Sequence, residues 1–299
     1  MPHYWIDTVL ERCANLDAVS DIVLEPLDSS AVRARIRQAG VYRDLDDHPD
    51  GAAAVARLKA LSGVPAYIVD EPQDGRIDGR PFGWTGDLRA AFLPTVRGPR
   101  AAVRVPAVAA VPELDAIGLP ESILAGLRAV LDEPQGLLLI CGPTGSGKTT
   151  SIHALLAVLT RTRPDRLPLA IEDPVERRLP GVVQVQVAPH RDFDFPAALR
   201  AGLRHDPDVI VVGEVRDPPT AMAACRAALT GHLVITTLHC ARARDALPRL
   251  IEMGVPEELL LPTLRGVLAQ RLIRLRHAAC HGRGCDACHG GFSGRRAVA

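Results

Sequence analysis

The segment GPTGSGKTT (Gly142–Thr150) constrains this chain more than any other, because it satisfies G-x-x-x-x-G-K-[ST] between an apolar run, GLLLICG, and a helix-forming stretch. Gly142, Gly145 and Gly147 let the backbone turn tightly enough for consecutive N–H groups to face phosphate oxygens. The helix that follows adds the partial positive charge of its N-terminus. Lys148 is then placed to reach the β- and γ-phosphates, and the Thr149 hydroxyl to ligate magnesium. Pro143, Thr144, Ser146 and Thr150 complete the candidate nucleotide-binding set.

Such a loop needs a parallel sheet behind it, and the downstream sequence supplies one. Leu169–Glu172, Val182–Val187, Val209–Val212 and Leu233–Thr237 read as strands, with helices expected over Pro196–His205, Thr220–Leu229 and Arg244–Met253. Continuous apolar runs mark strands buried on both faces, so the second part of the chain reads as a layered α/β domain. Aromatic residues make up only 3% of the chain, so alanine, valine and leucine must fill its core. The first part has a different rhythm. Ser20–Glu25 and Val32–Arg37 alternate as half-buried strands, Asp50–Leu61 has helical spacing, Asp70–Gly86 reads as loop, and Asp87–Leu93 and Ala101–Val105 are short strands. The expected organisation is a small α+β domain over 1–106, a proline-spaced linker over 107–120, and an α/β domain over 121–299 ending in a cysteine-rich segment at 277–295.

Ligands of open α/β sheets bind beyond the carboxyl ends of the strands. Two acidic clusters stand there: IEDPVE (Ile171–Glu176) and the end of VIVVGEVRD (Val209–Asp217). A magnesium triphosphate needs carboxylates to organise the ion and to orient the attacking water, which makes Glu214 and Glu172 the candidates for both roles. Asp173, Glu176 and Asp217 are open between that role and plain turn or ion-pair duty. The next strand ends in His239, placed to hydrogen-bond a γ-phosphate, and His232 precedes that strand.

These four segments resemble, in order and spacing, the Walker A, Asp box, Walker B and His box of the type II secretion and type IV pilus assembly ATPases; here they read GPTGSGKTT, IEDPVE, LRHDPDVIVVGEVRD and ALTGHLVITTLH. The wording IEDPVE and the downstream QRLIRL (Gln270–Leu275) favour the assembly and secretion branch, with pilus-retraction motors as the near alternative. The likeness reaches back through SDIVLEP, RARIRQAG, PQDGRI and DLRAAFLPTVRGPRAAVR, although Val23 and Pro99 depart from the usual residues. It implies a RecA-like P-loop motor domain preceded by a PAS-like small domain. It also implies magnesium-dependent ATP hydrolysis, a homo-hexamer, and an inner-membrane platform protein as partner. By the same resemblance Arg89 and Arg104, with Arg76 behind them, are carried over as arginines that reach a nucleotide. A weakly active accessory subunit is the rival reading, since the docking domains that precede the small domain in many members have no counterpart in these residues.

The family's two C-x-x-C pairs are reduced here. His277-x2-Cys280 and Cys285-x2-Cys288 have the spacing of zinc half-sites, and together they offer a Cys3His set, with His281 or His289 as substitutes for His277. Unmetallated cysteines are the other reading. Basic and acidic residues balance at 35 each, which predicts no broad phosphate-binding surface and no nucleic-acid partner. No segment reads as a targeting signal or membrane span, so a cytoplasmic protein is expected, and the resemblance implies that it works peripherally at the inner face of the plasma membrane.

Overall fold

The computed structural model describes residues 4–27, 30–38, 40–105, 111–188, 191–285, 288 and 291–299. Positions 107–110 of the expected linker, and His289, lie outside them. The chain divides into two compact units, Met1–Val108 with Arg276–Gly294, and Ala109–Leu275 with Arg295–Ala299. The cysteine-rich segment therefore groups with the first unit and not, as expected, with the α/β unit. None of its described residues belongs to any of the three apolar clusters of the chain.

In the first unit the elements run α1 (Trp5–Ala14), β1 (Val19–Pro26), β2 (Val32–Gln38), β3 (Val41–His48), α2 (Gly51–Leu61), β4 (Gln73–Ile77), β5 (Leu88–Leu93) and β6 (Arg100–Arg104). The strands form one sheet in the order β3-β2-β1-β6-β5-β4. Alternation decides its faces: β5 buries Leu88, Ala90 and Phe92 and exposes the residues between. Ile6, Val9, Leu10 and Cys13 of α1 and Val55 and Leu58 of α2 pack on the buried side. Asp50 caps α2 by accepting from the Ala53 N–H at 2.9 Å, a contact worth roughly 0.5–2 kcal/mol. The expected loop over 70–86 contains β4. Its polar sequence QDGRI hides the strand, which forms because β5 offers it a complete backbone ladder.

The chain continues in the second unit with α3 (Glu121–Asp132), β7 (Gly136–Cys141), α4 (Lys148–Thr162), β8 (Pro168–Glu172), β9 (Val183–Gln186), α5 (Phe195–Gly202), β10 (Val209–Val212), α6 (Pro218–Leu229), β11 (Leu233–Leu238), α7 (Ala246–Glu252), α8 (Glu257–Thr263) and β12 (Leu264–Ala269), and ends with β13 (Arg271–Arg276) and β14 (Phe292–Val298), which are divided between the two units. The second unit's sheet has the order β12-β7-β11-β10-β8-β9, and every neighbouring pair is parallel. Each residue of β7, β8, β10 and β11 is buried, as their apolar runs require. Two apolar cores flank the sheet. One joins α3 and α4 through Leu127, Leu131, Ile152 and Leu155, and the other joins α5, α6 and α8 through Leu199, Ala224, Ala228 and Leu260. The carboxyl ends of β7, β8, β10 and β11 consequently share one edge, where the loops that carry function are free to vary. No helix among the described residues is long and apolar enough to cross a membrane.

Candidate active site

The loop 142–147 leaves β7 and enters α4, whose N-cap residue Gly147 is left-handed and supplies no side-chain cap. The orphan N–H groups of that helix end are therefore available to an anion. The three loop glycines are required for different reasons. Gly142 cannot be replaced without displacement, because a Cβ there would lie 2.4 Å from the Gln270 carbonyl oxygen at a φ of +151°. Gly145 departs from the expectation of close wrapping, since a Cβ there would meet no atom within 4 Å and the residue is exposed. What calls for glycine at 145 is its left-handed backbone, with φ at +77°, which side chains disfavour even in open space. Pro143 and Thr144 are exposed beside it.

Lys148 is buried and its Nζ donates to the carbonyls of Gly142 (2.8 Å) and Pro143 (3.1 Å). Burial holds this ammonium below its ordinary pKa, while the negative charge of Glu214 pulls the other way. Ser146 is buried and its hydroxyl has no hydrogen-bond partner among the described residues. A buried polar atom left unpaired costs about 1–3 kcal/mol, so this hydroxyl fits a bound phosphate. Thr149 and Thr150 are exposed at the start of α4.

Across the edge, Glu214 follows β10 and His239 follows β11. The two strands are adjacent and in register, and His239 Nε2 lies 3.4 Å from a Glu214 carboxylate oxygen. Arg216 pairs with the other oxygen. Thr237 Oγ1 donates to the Gly213 carbonyl at 2.8 Å and fixes the backbone that carries Glu214. Asp217 instead caps α6 through the Thr220 N–H (2.8 Å), and His232 binds the Ala227 carbonyl (3.1 Å).

Glu172, at the end of β8, is buried with both oxygens engaged. His153 of α4 lies 3.2 Å from one, and the Gln184 amide of β9 donates to the other at 2.8 Å. An unpaired carboxylate at such depth costs several kcal/mol, so these two residues, which no motif announces, are what lets Glu172 sit there. Asp173 is exposed at the following turn.

In the first unit Arg76, Arg89 and Arg104 are directly opposite one another across β4, β5 and β6, and Asp21 of β1 continues the row. Directly opposed residues of antiparallel strands share a face, and all three arginines are exposed on it. Arg104 Nε bonds Asp21 at 3.1 Å.

His277, Cys280, Cys285 and Cys288 bring one ligand atom each within 4.8 Å of one another. Cys280 Sγ and Cys288 Sγ are 3.8 Å apart, and Cys285 Sγ lies 3.5 Å from His277 Nδ1. Ligands at zinc bond lengths and tetrahedral angles are separated by about 3.8 Å for two sulfurs and about 3.5 Å for sulfur and nitrogen. The donor set therefore fits zinc in both chemistry and spacing. Burial opposes ionisation of Cys280, but hydrogen bonds with His277, Gly284 and Gly282 prevail and bring its thiol below the ordinary value. His281 lies outside this four-residue group.

Known proteins resemble this arrangement along its whole length. Residues 4–299 match the family model described as type II/IV secretion system protein. The type II secretion system protein HxcR of Pseudomonas aeruginosa is 41% identical over 98% of this chain and 64% of its own. The type IV pilus assembly ATPase PilB of Thermus thermophilus is 39% identical over 96% of this chain and 35% of its own. The chain thus spans about a third to just under two thirds of the length of these relatives. Among solved structures, the pilus retraction motor PilT with bound ADP superposes at a TM-score of 0.73 and 28% identity, covering 99% of this chain and 82% of that one. The Legionella pneumophila ATPase DotB superposes at the same TM-score with 22% identity over 99% of this chain and 81% of its own, a likeness of fold alone. The fold is that of a P-loop ATPase, and the chain belongs to the type II/IV secretion system protein family.

Proposed function

We propose that this chain is a magnesium-dependent ATPase which, as a homo-hexamer, drives assembly of a type II secretion pseudopilus or type IV pilus through an inner-membrane platform protein. The observation that carries the reading is the convergence of a buried lysine and an unpartnered serine hydroxyl with a glutamate–histidine pair from neighbouring strands. Lys148 and the N–H groups of residues 144–150 hold the phosphates, with Gly145 leaving the outer turn of the loop bare for them. Thr149 and Glu172 hold the ion's shell, and magnesium neutralises charge between the β- and γ-phosphates when bound. Glu214 orients the attacking water and accepts its proton, while His239 hydrogen-bonds the γ-phosphate and keeps the carboxylate aimed. His153 and Gln184 restrict Glu172 to one direction. The platform places the working protein in the cytoplasm, against the inner face of the plasma membrane. No nucleic-acid partner enters this scheme.

The row of Arg76, Arg89 and Arg104 supports a role for the small unit. Like charges directly opposite repel across a sheet; Asp21 already pairs with Arg104 at 3.1 Å, and a phosphate would add further compensating charge to the face. We assign Arg89 and Arg104 to the γ-phosphate of a neighbouring chain's nucleotide, where closure then controls the transition state. Specific ATPase activity should rise with protein concentration. Arg104→Ala and Lys148→Ala chains, each nearly inactive, should recover activity on mixing, since one supplies a sound phosphate loop and the other a sound arginine. Full activity of a dilute monomer, or no recovery in demonstrably mixed rings, would count against the scheme.

Retraction is the second reading, favoured by the likeness to PilT; the sense of filament growth in a reconstituted system separates the two. A weakly active accessory subunit is separated by its turnover rate. For the Cys3His group, zinc would close the loop between β13 and β14. Purified chain should retain stoichiometric zinc by elemental analysis, and Cys285→Ser/Cys288→Ser chain should retain none; a zinc-free parent would remove this assignment.

A further inference from the structure

Gln270 follows the edge strand β12 at only 2% exposure, and the hydrolytic scheme above makes no use of it. Its amide is engaged at both ends. Oε1 accepts from Ser151 Oγ of α4 at 2.9 Å, and Nε2 donates to the Ser146 carbonyl at 2.8 Å. Its backbone N–H donates to the Cys141 carbonyl at 2.9 Å, where β7 ends. The space a Cβ would need on Gly142 is taken by the Gln270 carbonyl, and a Cβ on Gly147 would meet Gln270 Nε2 at 3.2 Å. One residue therefore touches the phosphate loop where it leaves the strand and where it enters the helix.

The direction of these bonds matters. A peptide unit is planar and trans, so its C=O and N–H point opposite ways. Nε2 draws the Ser146 carbonyl back toward β12, which turns the Gly147 N–H the other way, toward the mouth of the loop. Ser151 fixes the amide so that its donor end, and not its acceptor end, faces that carbonyl. Glutamate has no donor to offer there, and leucine has neither group. We propose that Gln270 is a positioning residue for phosphate binding, holding the Ser146–Gly147 peptide in the one orientation that presents its N–H to the nucleotide. The inference rests on the nucleotide site described above.

The test uses equilibrium binding of ADP with magnesium, and of inorganic pyrophosphate, to the full chain and to Gln270→Glu, Gln270→Leu and Ser151→Ala. Both Gln270 variants should bind ADP and pyrophosphate about 30-fold more weakly, the effect of leaving a buried carbonyl unpaired, whereas Ser151→Ala should lose less than about threefold. The loss should appear in KM for ATP with kcat much less changed, and melting of the unliganded Gln270→Glu chain should stay cooperative, lowered only by the few degrees that one unpaired buried carbonyl costs. Combining Ser151→Ala with Gln270→Leu should weaken binding no further than Gln270→Leu alone, because both act through one side chain. ADP affinity at the parent's value in Gln270→Glu overturns the proposal, as does a loss confined to kcat. If Gln270→Leu fails to fold, Gln270→Glu and Ser151→Ala still decide it. The two levels separate cleanly. A parent chain that binds no ADP, or a Lys148→Ala chain that binds it normally, removes the nucleotide site and this inference with it. Normal binding by Gln270→Glu, with loss in Lys148→Ala, removes the inference alone.

Discussion

Replacing Lys148 with alanine should abolish ATP turnover, by about a thousandfold or more, the scale of removing a principal charge-stabilising group from a phosphoryl-transfer site. In the free chain the ammonium is held by two loop carbonyls, Gly142 and Pro143, and lies buried beside the base of the loop. In the proposed site those contacts would exchange for phosphate oxygens on binding, and the charge would follow the γ-phosphoryl group as negative charge develops on it. Alanine removes the cation that the phosphates would meet, so nucleotide affinity should fall together with rate. Phosphate release at saturating ATP and equilibrium binding of ADP measure the two effects; a normal rate in the variant would place the chemistry elsewhere. The sign of the pKa shift adds a pH dependence. Burial lowers this pKa, so the free chain loses the Lys148 proton at lower pH than an exposed lysine would. Affinity for ADP should accordingly weaken as pH rises into that window, and the Lys148→Ala chain should lack this limb.

Glu214→Gln should separate binding from chemistry. The carboxylate is paired with Arg216 and His239, and glutamine keeps its volume and an acceptor oxygen for either of them. What it loses is the negative charge and basicity that the proposed role, orienting water and taking its proton, would need. Hydrolysis should fall by about a hundredfold or more, the usual worth of a general base, while ATP stays bound. A single-turnover experiment with preloaded ATP and magnesium reads this as slow product formation from a long-lived complex. Equal loss of affinity and rate would instead make Glu214 a structural or ion-organising residue.

Much of the fold was legible because burial on both faces leaves room for few polar residues. Strands β7 and β10 are uninterrupted apolar runs, β11 departs only at Thr236 and Thr237, whose hydroxyls donate to the Val212 and Gly213 carbonyls, and their extents were readable to within a residue or so at either end. Edge and surface strands were not. VYRDLDDH of β3 carries its stability in cross-strand pairs such as Arg33–Asp47 and Arg35–Asp44, and no hydrophobic period marks it. β4 is concealed in the same way by QDGRI. At the site, the glycines of the loop were readable as a set, but not the difference between them. Crowding by a distant backbone demands Gly142, whereas Gly145 answers only to its own dihedral angle. The nearness of Glu214 and His239 follows from two successive apolar strands of one parallel sheet, each ending in a polar residue. The partners of Glu172 had no such signal. His153 lies mid-helix and Gln184 on an edge strand, and only the packing of α4 against β8 and β9 brings both to one carboxylate.

The all-parallel sheet has a consequence for how the chain acquires its competence. Gln270 lies 124 residues after the Ser146 peptide that it holds, because β12 joins β7 only after the rest of the sheet has been laid down in sequence. During synthesis the phosphate loop emerges early, beside a strand whose outer neighbour does not yet exist. Chains fold from the N-terminus as they leave the ribosome, and contacts between distant segments form late because the intervening loop must first be closed. A nascent chain that has exposed β7 and α4 therefore displays the loop sequence without its final backing strand. If Gln270 positions the loop as proposed, the cradle would be complete only once residue 270 arrives, and a half-made chain would bind nucleotide more weakly than the finished one.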